Sequence, residues 1–189
     1  EFGYKASTEI FNPAQFGKWK FCKEQDIRSI VGDNKTDTKI SVMADVGRTD
    51  FKKDILNKKD SVIDLIRVAT YINTIPAAIE MLEDAKKKGY ETTVNIMAVS
   101  KVNDDDLDGG LELLGQSSVD TIYLVDSFGA FYPEQVERLC DKYLNMAAKY
   151  NKKVGIHAHN NQQLAFANTI EALTMGASYL DATVSGMGR

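Results

Sequence analysis

Short apolar segments rich in β-branched residues recur along this chain, with helical patterns between them. The segments lie at residues 1–4, 39–46, 62–68, 92–97, 121–126, 153–159 and 179–184. They begin about 25 to 35 residues apart, which is the length of one βα unit. Most are almost continuously apolar, as expected for strands of a parallel sheet buried on both faces. The spacing therefore predicts an α/β fold in which strands and helices alternate.

The intervening patterns predict four helices, at residues 77–88, 104–114, 133–150 and 161–175. Gly89 and Gly176 follow two of them, at the position where glycine often ends a helix. Pro133 and Glu134 are typical of a first helical turn, where proline is tolerated and an acidic side chain is favourable. Each helix would connect two parallel strands.

Two architectures fit seven parallel strands with alternating helices: an open doubly wound sheet and a (β/α)8 TIM barrel. No Gly-x-Gly-x-x-Gly follows the first strand, which argues against a dinucleotide-binding sheet. One βα unit before residue 1 and one helix after residue 189 would complete a barrel of about 250 residues. We therefore expect residues 1–189 to form a single, incomplete TIM-barrel domain containing strands 2 to 8.

The composition excludes some classes of protein. The chain has 189 residues with 23 basic and 27 acidic side chains, a net charge of -4, whereas a dedicated nucleic-acid binder needs a basic surface. No apolar run reaches about 18 residues and no secretory leader opens the chain, so neither a membrane span nor export is expected. Cys22 and Cys140 lack metal-type spacing and fit a reduced, cytoplasmic setting.

His157 and His159 are the two histidines of the chain, and they stand two residues apart at the end of a predicted strand. Side chains two apart in a strand point to the same face, so both rings can reach one cation. Parallel α/β folds place their sites at such strand ends. Two histidines leave a site open, so we expect an oxygen ligand from elsewhere and a Mn, Fe, Zn or Mg-type ion. The alternative is two unrelated histidines.

Asp126 and Ser127 end another predicted strand, in the segment Val-Asp-Ser-Phe-Gly-Ala. Ser127 and the neighbouring backbone N–H groups can hold a carboxylate or carbonyl oxygen. The alternative is a strand–helix junction in which one of the two residues caps the helix. No Gly-x-Ser-x-Gly motif surrounds the serine, which argues against a hydrolase nucleophile.

Three further polar residues lie on predicted strands. Arg67, at the end of the third segment, either binds an anionic substrate or forms a structural ion pair. Asn95 is either a substrate contact or a buried hydrogen-bonding residue. Asp45 is expected to be structural. The residues alone leave these alternatives open.

Five longer segments occur in order along the chain: EFGYKAS (1–7), RVAT (67–70), VDSFGA (125–130), HAHNNQQLAFAN (157–168) and DATVSGMGR (181–189). Together they resemble the pyruvate-aldolase branch of the DRE-TIM metallolyase superfamily, the HMGL-like enzymes. The resemblance covers nearly the whole chain, and the His-x-His-Asn segment is its most specific part.

This resemblance implies a TIM barrel with a divalent metal at the carboxyl ends of its strands. Mn2+ is the first expectation, with Mg2+, Co2+ or Zn2+ as alternatives. His157 and His159 would be metal ligands, and the third ligand would be an aspartate on a first strand outside residues 1–189. Ser127 and Arg67 are expected in catalysis, and Ser127, Asn95 and Asp126 in substrate binding.

The implied reaction is the cleavage or formation of a 4-hydroxy-2-oxo acid through a pyruvate enolate. The implied partners are a small 2-keto acid substrate and an aldehyde dehydrogenase, with which such aldolases often pair. The oligomeric state is left open.

Single residues favour aldolases over other enzymes of the superfamily. Biotin-dependent carboxyltransferases carry a lysine where this chain has Val125. Isopropylmalate and homocitrate synthases carry Asp-Thr where it has Asp126-Ser127, and HMG-CoA lyases carry a cysteine in the loop that begins here at Gly186. An acyl-CoA condensing enzyme or lyase on the same barrel is the main alternative. An Fe(II) oxygenase with two histidines and a carboxylate, and a barrel that binds a metabolite without turnover, are further alternatives.

Overall fold

The computed structural model describes residues 1–183 as a parallel sheet whose outer face is covered by helices. The strands are β1 (Ser41–Asp45), β2 (Leu65–Thr70), β3 (Glu91–Ile96), β4 (Thr121–Asp126), β5 (Lys153–Ala158) and β6 (Tyr179–Leu180). The helices are α1 (Glu24–Val31), α2 (Phe51–Asp54), α3 (Ile75–Lys87), α4 (Asp104–Gln116), α5 (Pro133–Tyr150) and α6 (Ala165–Met175). Single-turn 3-10 helices lie in the connections, at Pro13–Gln15, Lys18–Lys20, Lys58–Asp60, Ile72–Thr74 and Val99–Lys101.

The strands pair in chain order from β1 to β6, and every pair is parallel. The first predicted strand lies along the edge of β1. There Tyr4 forms a parallel bridge with Met43, and the N–H of Lys5 donates to the carbonyl oxygen of Met43 at 2.7 Å. The predicted α/β fold and the strand order of a partial TIM barrel are therefore confirmed.

The predicted third strand, 62–68, is shifted along the chain, because β2 begins three residues later. Residues 61 and 62 are held by α1 instead of by the sheet. Both the N–H of Val62 and the hydroxyl of Ser61 donate to the carboxylate of Glu24, each at 2.8 Å. Arg67 consequently lies in the middle of its strand, and its predicted position at the strand end is wrong.

Other boundaries also differ from the prediction. Helix α6 begins at Ala165 and not at 161, because Oδ1 of Asn160 accepts the N–H of Ala165 at 3.1 Å. The last predicted strand, 179–184, is assigned only at β6, and its final residue lies outside the described residues. The short helices α1 and α2 were not predicted. Among residues 1–183 no helix has both the length and the apolar character that crossing a membrane requires.

The two faces of the sheet differ in chemistry. Apolar residues on alternate strand positions pack against the helices, and none is more than 2% exposed: Val42, Ala44, Ile66, Val68, Val94, Ile96, Ile122, Leu124, Val154 and Ile156. Many of the positions between them carry polar or charged side chains, among them Arg67, Thr93, Asn95, Tyr123 and His157, although Met43, Ala69 and Val125 share this face. The strands are buried on both faces, as predicted for most of them. The hydrophobic core, however, lies between the sheet and the helices, and the inner face is more polar.

The sheet is rolled so that its polar face is concave. Strands β2 and β6 are four places apart in the sheet, and a flat sheet would separate them by about 19 Å. Yet Nη2 of Arg67 on β2 lies 2.5 Å from Oδ2 of Asp181, which directly follows β6. This contact across the concave face is possible only because the strands curve around it, as in an arc of a barrel.

Gly115 and Gly109 of α4 give a test of the packing between α4 and α5. A Cβ atom at Gly115 would lie 2.3 Å from Cδ2 of Tyr150, whereas a Cβ atom at Gly109 meets nothing within 4 Å. We expect Gly115→Ala to lower the free energy of unfolding by about 1–3 kcal/mol through overpacking. Gly109→Ala should raise it by about 0.5–1 kcal/mol because alanine is the better helix former. Urea denaturation measures both effects, and equal stabilisation by the two substitutions would contradict this packing.

Candidate active site

The two histidine side chains converge on the concave face. His157 lies near the end of β5 and His159 directly after it, and their Nε2 atoms are 3.4 Å apart. The ring centroids are separated by 4.8 Å, and the rings are nearly perpendicular. As predicted, the two rings share one face of the sheet. Their role as metal ligands stays a prediction.

In each histidine, Nδ1 lies within hydrogen-bond distance of an oxygen atom. Nδ1 of His159 is 2.7 Å from the backbone oxygen of Asp126, and Nδ1 of His157 is 2.7 Å from Oδ2 of Asp181. A carbonyl oxygen and an ionised carboxylate can only accept, so each Nδ1 carries a proton and donates it. In the neutral rings, both Nε2 atoms then direct lone pairs at the same place.

This pair of donors fits a divalent metal ion. Two nitrogens that are each about 2.1 Å from one ion lie roughly 3.0–3.4 Å apart at octahedral and tetrahedral ligand angles. The observed separation is 3.4 Å, at which two lone pairs repel each other unless a cation lies between them. In the part of the chain that the structure describes, no cluster of three or more histidine, cysteine or carboxylate groups forms a complete site.

A cluster of charges adjoins His157. Arg67 binds two carboxylates, through Nη2 at 2.5 Å from Asp181 and through Nη1 at 3.3 Å from Glu1. Its guanidinium also stacks on Tyr123, 4.6 Å from the ring centroid, and the residue is only 8% exposed. Arg67 is thus an internal ion-pair partner, which is one of the alternatives that the sequence left open. Its predicted contact with a substrate stays a prediction.

The charges of this cluster stabilise each other. Burial disfavours the carboxylate of Asp181, but the hydrogen bond from His157 and the charge of Arg67 outweigh burial and hold its pKa below the usual value. Burial also disfavours the charge of Arg67, yet Asp181 and Glu1 raise the pKa of this guanidinium. Burial raises the pKa of the Tyr123 hydroxyl, which stays protonated. Asp181 and Arg67 therefore form a charged pair, whereas burial outweighs the charge of Arg67 at Glu1 and raises the pKa of that carboxyl group.

Asp126 and Ser127 both hold backbone groups around the loop that follows β4. The carboxylate of Asp126 accepts the N–H groups of Ala130 and Phe131, both at 3.0 Å. Oγ of Ser127 accepts the N–H of Ala98 at 2.8 Å, which leaves its own proton to donate elsewhere. Asp126 thus holds the loop between β4 and α5, but it does not cap the helix, because the N-cap residue of α5 is Tyr132. Substrate contacts of Asp126 and Ser127 stay predictions.

Asn95 and Asp45 place buried oxygens on the inner face of β3 and at the end of β1. Asn95 is 3% exposed, and its Oδ1 has no hydrogen-bond partner within residues 1–183. Oδ1 of Asp45 is likewise unpaired among these residues, while its Oδ2 lies 3.6 Å from Arg48. Burial raises the pKa of Asp45. The amide oxygen of Asn95 thus has an unused acceptor site in a buried position, and its predicted substrate contact stays a prediction.

Asp181, Tyr123 and Glu1 are the members of the cluster that the sequence analysis did not single out. Asp181 belongs to the segment DATVSGMGR, so its place directly after a predicted strand was a usable signal. Tyr123 looked like an ordinary apolar strand residue. The remainder of that segment, including the loop that begins at Gly186, lies outside the described residues.

Comparison with known proteins shows the family to which the chain belongs. A family model described as HMGL-like matches residues 21–189. The chain belongs to the HMGL-like family. The matched residues include both converging histidines, the loop after β4 and Asp181.

Curated relatives of this HMGL-like chain include enzymes of keto-acid metabolism. It is 31% identical over 137 residues to a 4-hydroxy-2-oxovalerate aldolase of Geobacillus genomosp. 3, which covers 72% of this chain and 40% of the relative. It is 30% identical over 127 residues to an oxaloacetate decarboxylase of Mycobacterium tuberculosis, covering 67% of this chain and 37% of the relative. The chain thus spans less than half the length of these relatives.

Solved structures share the fold. A crystallised N-terminal domain from Bacteroides vulgatus, provisionally named an aldolase, matches the whole HMGL-like chain with a TM-score of 0.83 and 29% identity, over 61% of that chain. The HMG-CoA lyase of Brucella melitensis matches 86% of this chain and 63% of its own with a TM-score of 0.67, and its 18% identity shows the fold alone.

Replacement of Asp126 tests the loop after β4. Asparagine has one acceptor oxygen, so Asp126→Asn leaves one of the N–H groups of Ala130 and Phe131 facing an amide NH2 group. We expect the free energy of unfolding to fall by about 1–3 kcal/mol. The matched control is Asp141→Asn on the exposed side of α5, which should change it by less than about 0.5 kcal/mol. Equal effects of the two substitutions in urea denaturation would refute the role of Asp126 in holding this loop.

Proposed function

We propose that this chain carries most of the active site of a divalent-metal-dependent aldolase. The enzyme would cleave or form a 4-hydroxy-2-oxo acid through a pyruvate enolate. The observation that carries the proposal is the pair of Nε2 atoms 3.4 Å apart at the carboxyl end of β5, beside the loop that contains Ser127. The names and identities of the curated aldolase relatives support the same reaction.

His157 and His159 would hold the metal ion, with Mn2+ as the first choice and Mg2+, Co2+ or Zn2+ as alternatives. When bound, such an ion acts as a Lewis acid that stabilises the negative charge of an enolate. The hydrogen bonds from both Nδ1 atoms orient the rings and place the proton of each neutral ring on Nδ1, so that the Nε2 lone pairs are available to a metal. A further ligand would come from outside residues 1–183.

Ser127 and Asn95 would orient the keto acid. Because Oγ of Ser127 already accepts the N–H of Ala98, the hydroxyl proton points to another acceptor, and a substrate carboxylate suits it. The unpaired Oδ1 of Asn95 would accept a hydrogen bond from a hydroxyl group of the substrate. Asp126 would act through the loop, since both of its carboxylate oxygens hold backbone N–H groups.

Decarboxylation of oxaloacetate is a second candidate, favoured by the similarity to the mycobacterial oxaloacetate decarboxylase. It also passes through a pyruvate enolate, with carbon dioxide leaving in place of an aldehyde. The two candidates therefore share the histidine pair and differ in what the pocket accepts at the leaving-group side. A cytoplasmic location and an aldehyde dehydrogenase partner belong to the first candidate and rest on the family resemblance.

Proton exchange at the methyl group of pyruvate tests the shared enolate step. We expect Mn2+-dependent exchange with D2O, followed by NMR, in the full-length polypeptide that carries this sequence. His157→Ala and His159→Ala should each abolish exchange and stoichiometric Mn2+ binding, because each removes a ligand. Arg138→Ala, which breaks an exposed pair with Asp104, is the control and should leave both unchanged. Full Mn2+ binding by either histidine variant would refute the ligand assignment.

Ser127 gives a test of substrate binding. We expect Ser127→Ala to raise the KM for pyruvate-derived substrates by about 10- to 100-fold, as loss of a hydrogen bond to a charged group implies. Ser127→Thr keeps the hydroxyl group and should stay close to the wild-type KM. Steady-state kinetics with 4-hydroxy-2-oxo acids and with oxaloacetate measure the effect and rank the two candidate reactions. An unchanged KM in Ser127→Ala would exclude a substrate contact.

A further inference from the structure

We propose that Arg67 is a positioning residue that acts through Asp181 to fix the ring of His157. In this role it neither touches substrate nor binds the metal. It keeps the Nε2 lone pair of His157 directed at the point that His159 also faces. The inference rests on the proposed function in one respect, that His157 is a metal ligand.

The geometry supports this through a single shared oxygen atom. Oδ2 of Asp181 lies 2.5 Å from Nη2 of Arg67 and 2.7 Å from Nδ1 of His157. Any movement of the guanidinium therefore moves the atom that orients the imidazole ring. Because the carboxylate is an acceptor, it also determines that the ring proton resides on Nδ1 and the lone pair on Nε2.

Arg67 is itself held in place on several sides. Tyr123 lies against the guanidinium, and the ring of Tyr123 occupies the space over Gly155, where a Cβ atom would lie 2.5 Å from its Cε1. Glu1 binds the other terminal nitrogen at 3.3 Å. Because the side chain of Arg67 is already immobilised by stacking and ion pairing, it can hold Asp181 in one position at little further cost in conformational entropy.

His159 provides an internal control within the same site. Its Nδ1 donates to the backbone oxygen of Asp126, which no side-chain substitution in the cluster removes. If Arg67 acts through Asp181, its replacement changes the ring of His157 and leaves that of His159 as it was. A general loosening of the fold would change both.

The first measurement is the tautomer of each ring, from 15N NMR of the metal-free full-length polypeptide. In the wild type we expect both rings to carry the proton on Nδ1. In Arg67→Met, His157 should become a mixture of tautomers while His159 keeps its proton on Nδ1. Arg67→Lys, which restores the charge, should restore most of the wild-type state of His157.

The second measurement is Mn2+ affinity, from the EPR signal of free Mn2+. Loss of an outer partner of a metal ligand typically weakens metal binding by about 10- to 100-fold, and we expect this for Arg67→Met and for Asp181→Asn. The double variant should bind no more weakly than Asp181→Asn alone, because Arg67 acts through that carboxylate. Arg138→Ala should bind as the wild type does.

Two results would overturn the inference. One is wild-type Mn2+ affinity and an unchanged His157 tautomer in folded Arg67→Met. The other is an equal change at His157 and His159. Arg67→Gln, which removes the charge but keeps a polar side chain, carries the same test if Arg67→Met does not fold. Neither readout uses turnover, so absence of pyruvate exchange would remove the proposed function and leave this inference standing.

Discussion

The concave face of this sheet depends on one buried ion pair, between Arg67 and Asp181. A guanidinium that is only 8% exposed cannot stay there without a partner, since an uncompensated buried charge costs several kcal/mol. The partner comes from the far side of the sheet, so the ion pair and the curvature of the strands stabilise each other. The same carboxylate then orients a histidine of the candidate metal site. The ion pair between Arg67 and Asp181 therefore stabilises the fold and also orients a residue of the candidate site.

Sequence reasoning predicted what depends on local pattern. The βα spacing was sufficient for the α/β order, and the two-residue spacing of His157 and His159 was sufficient for their common face. The contact between Arg67 and Asp181 joins residues 114 positions apart and exists only in the rolled sheet, so no local pattern indicates it.

The missed elements have similar physical reasons. Helix α1 has only eight residues and buries a single side chain, Ile27, so its apolar pattern covers too few turns to predict a helix on its own. The start of β2 was misplaced because Val62 and Ile63 are apolar, whereas the position of the backbone is decided by hydrogen bonds to Glu24. In both cases tertiary contacts outweigh the pattern.

The loops after β4 and β5 pack closely against each other through backbone atoms. Gly129 has a φ of +58°, and a Cβ atom there would lie 2.7 Å from the backbone nitrogen of Asn161. The N–H of Gln162 donates to the carbonyl oxygen of Gly129 at 3.2 Å. Because this close approach requires glycine, the distance between the serine loop and the histidine loop is set by main-chain packing. Ser127 and the histidines are thereby held as parts of one rigid surface.

The two histidines differ in whether a substitution elsewhere in the chain can change their orientation. The acceptor for His159 is a main-chain oxygen, which is present whatever amino acid occupies position 126. The acceptor for His157 is a side chain, which is itself held by another side chain. Mutation at positions 181 and 67 can therefore change the orientation of one histidine gradually, while that of the other stays fixed by the backbone. The geometry of the pair can in this way change without replacement of either histidine.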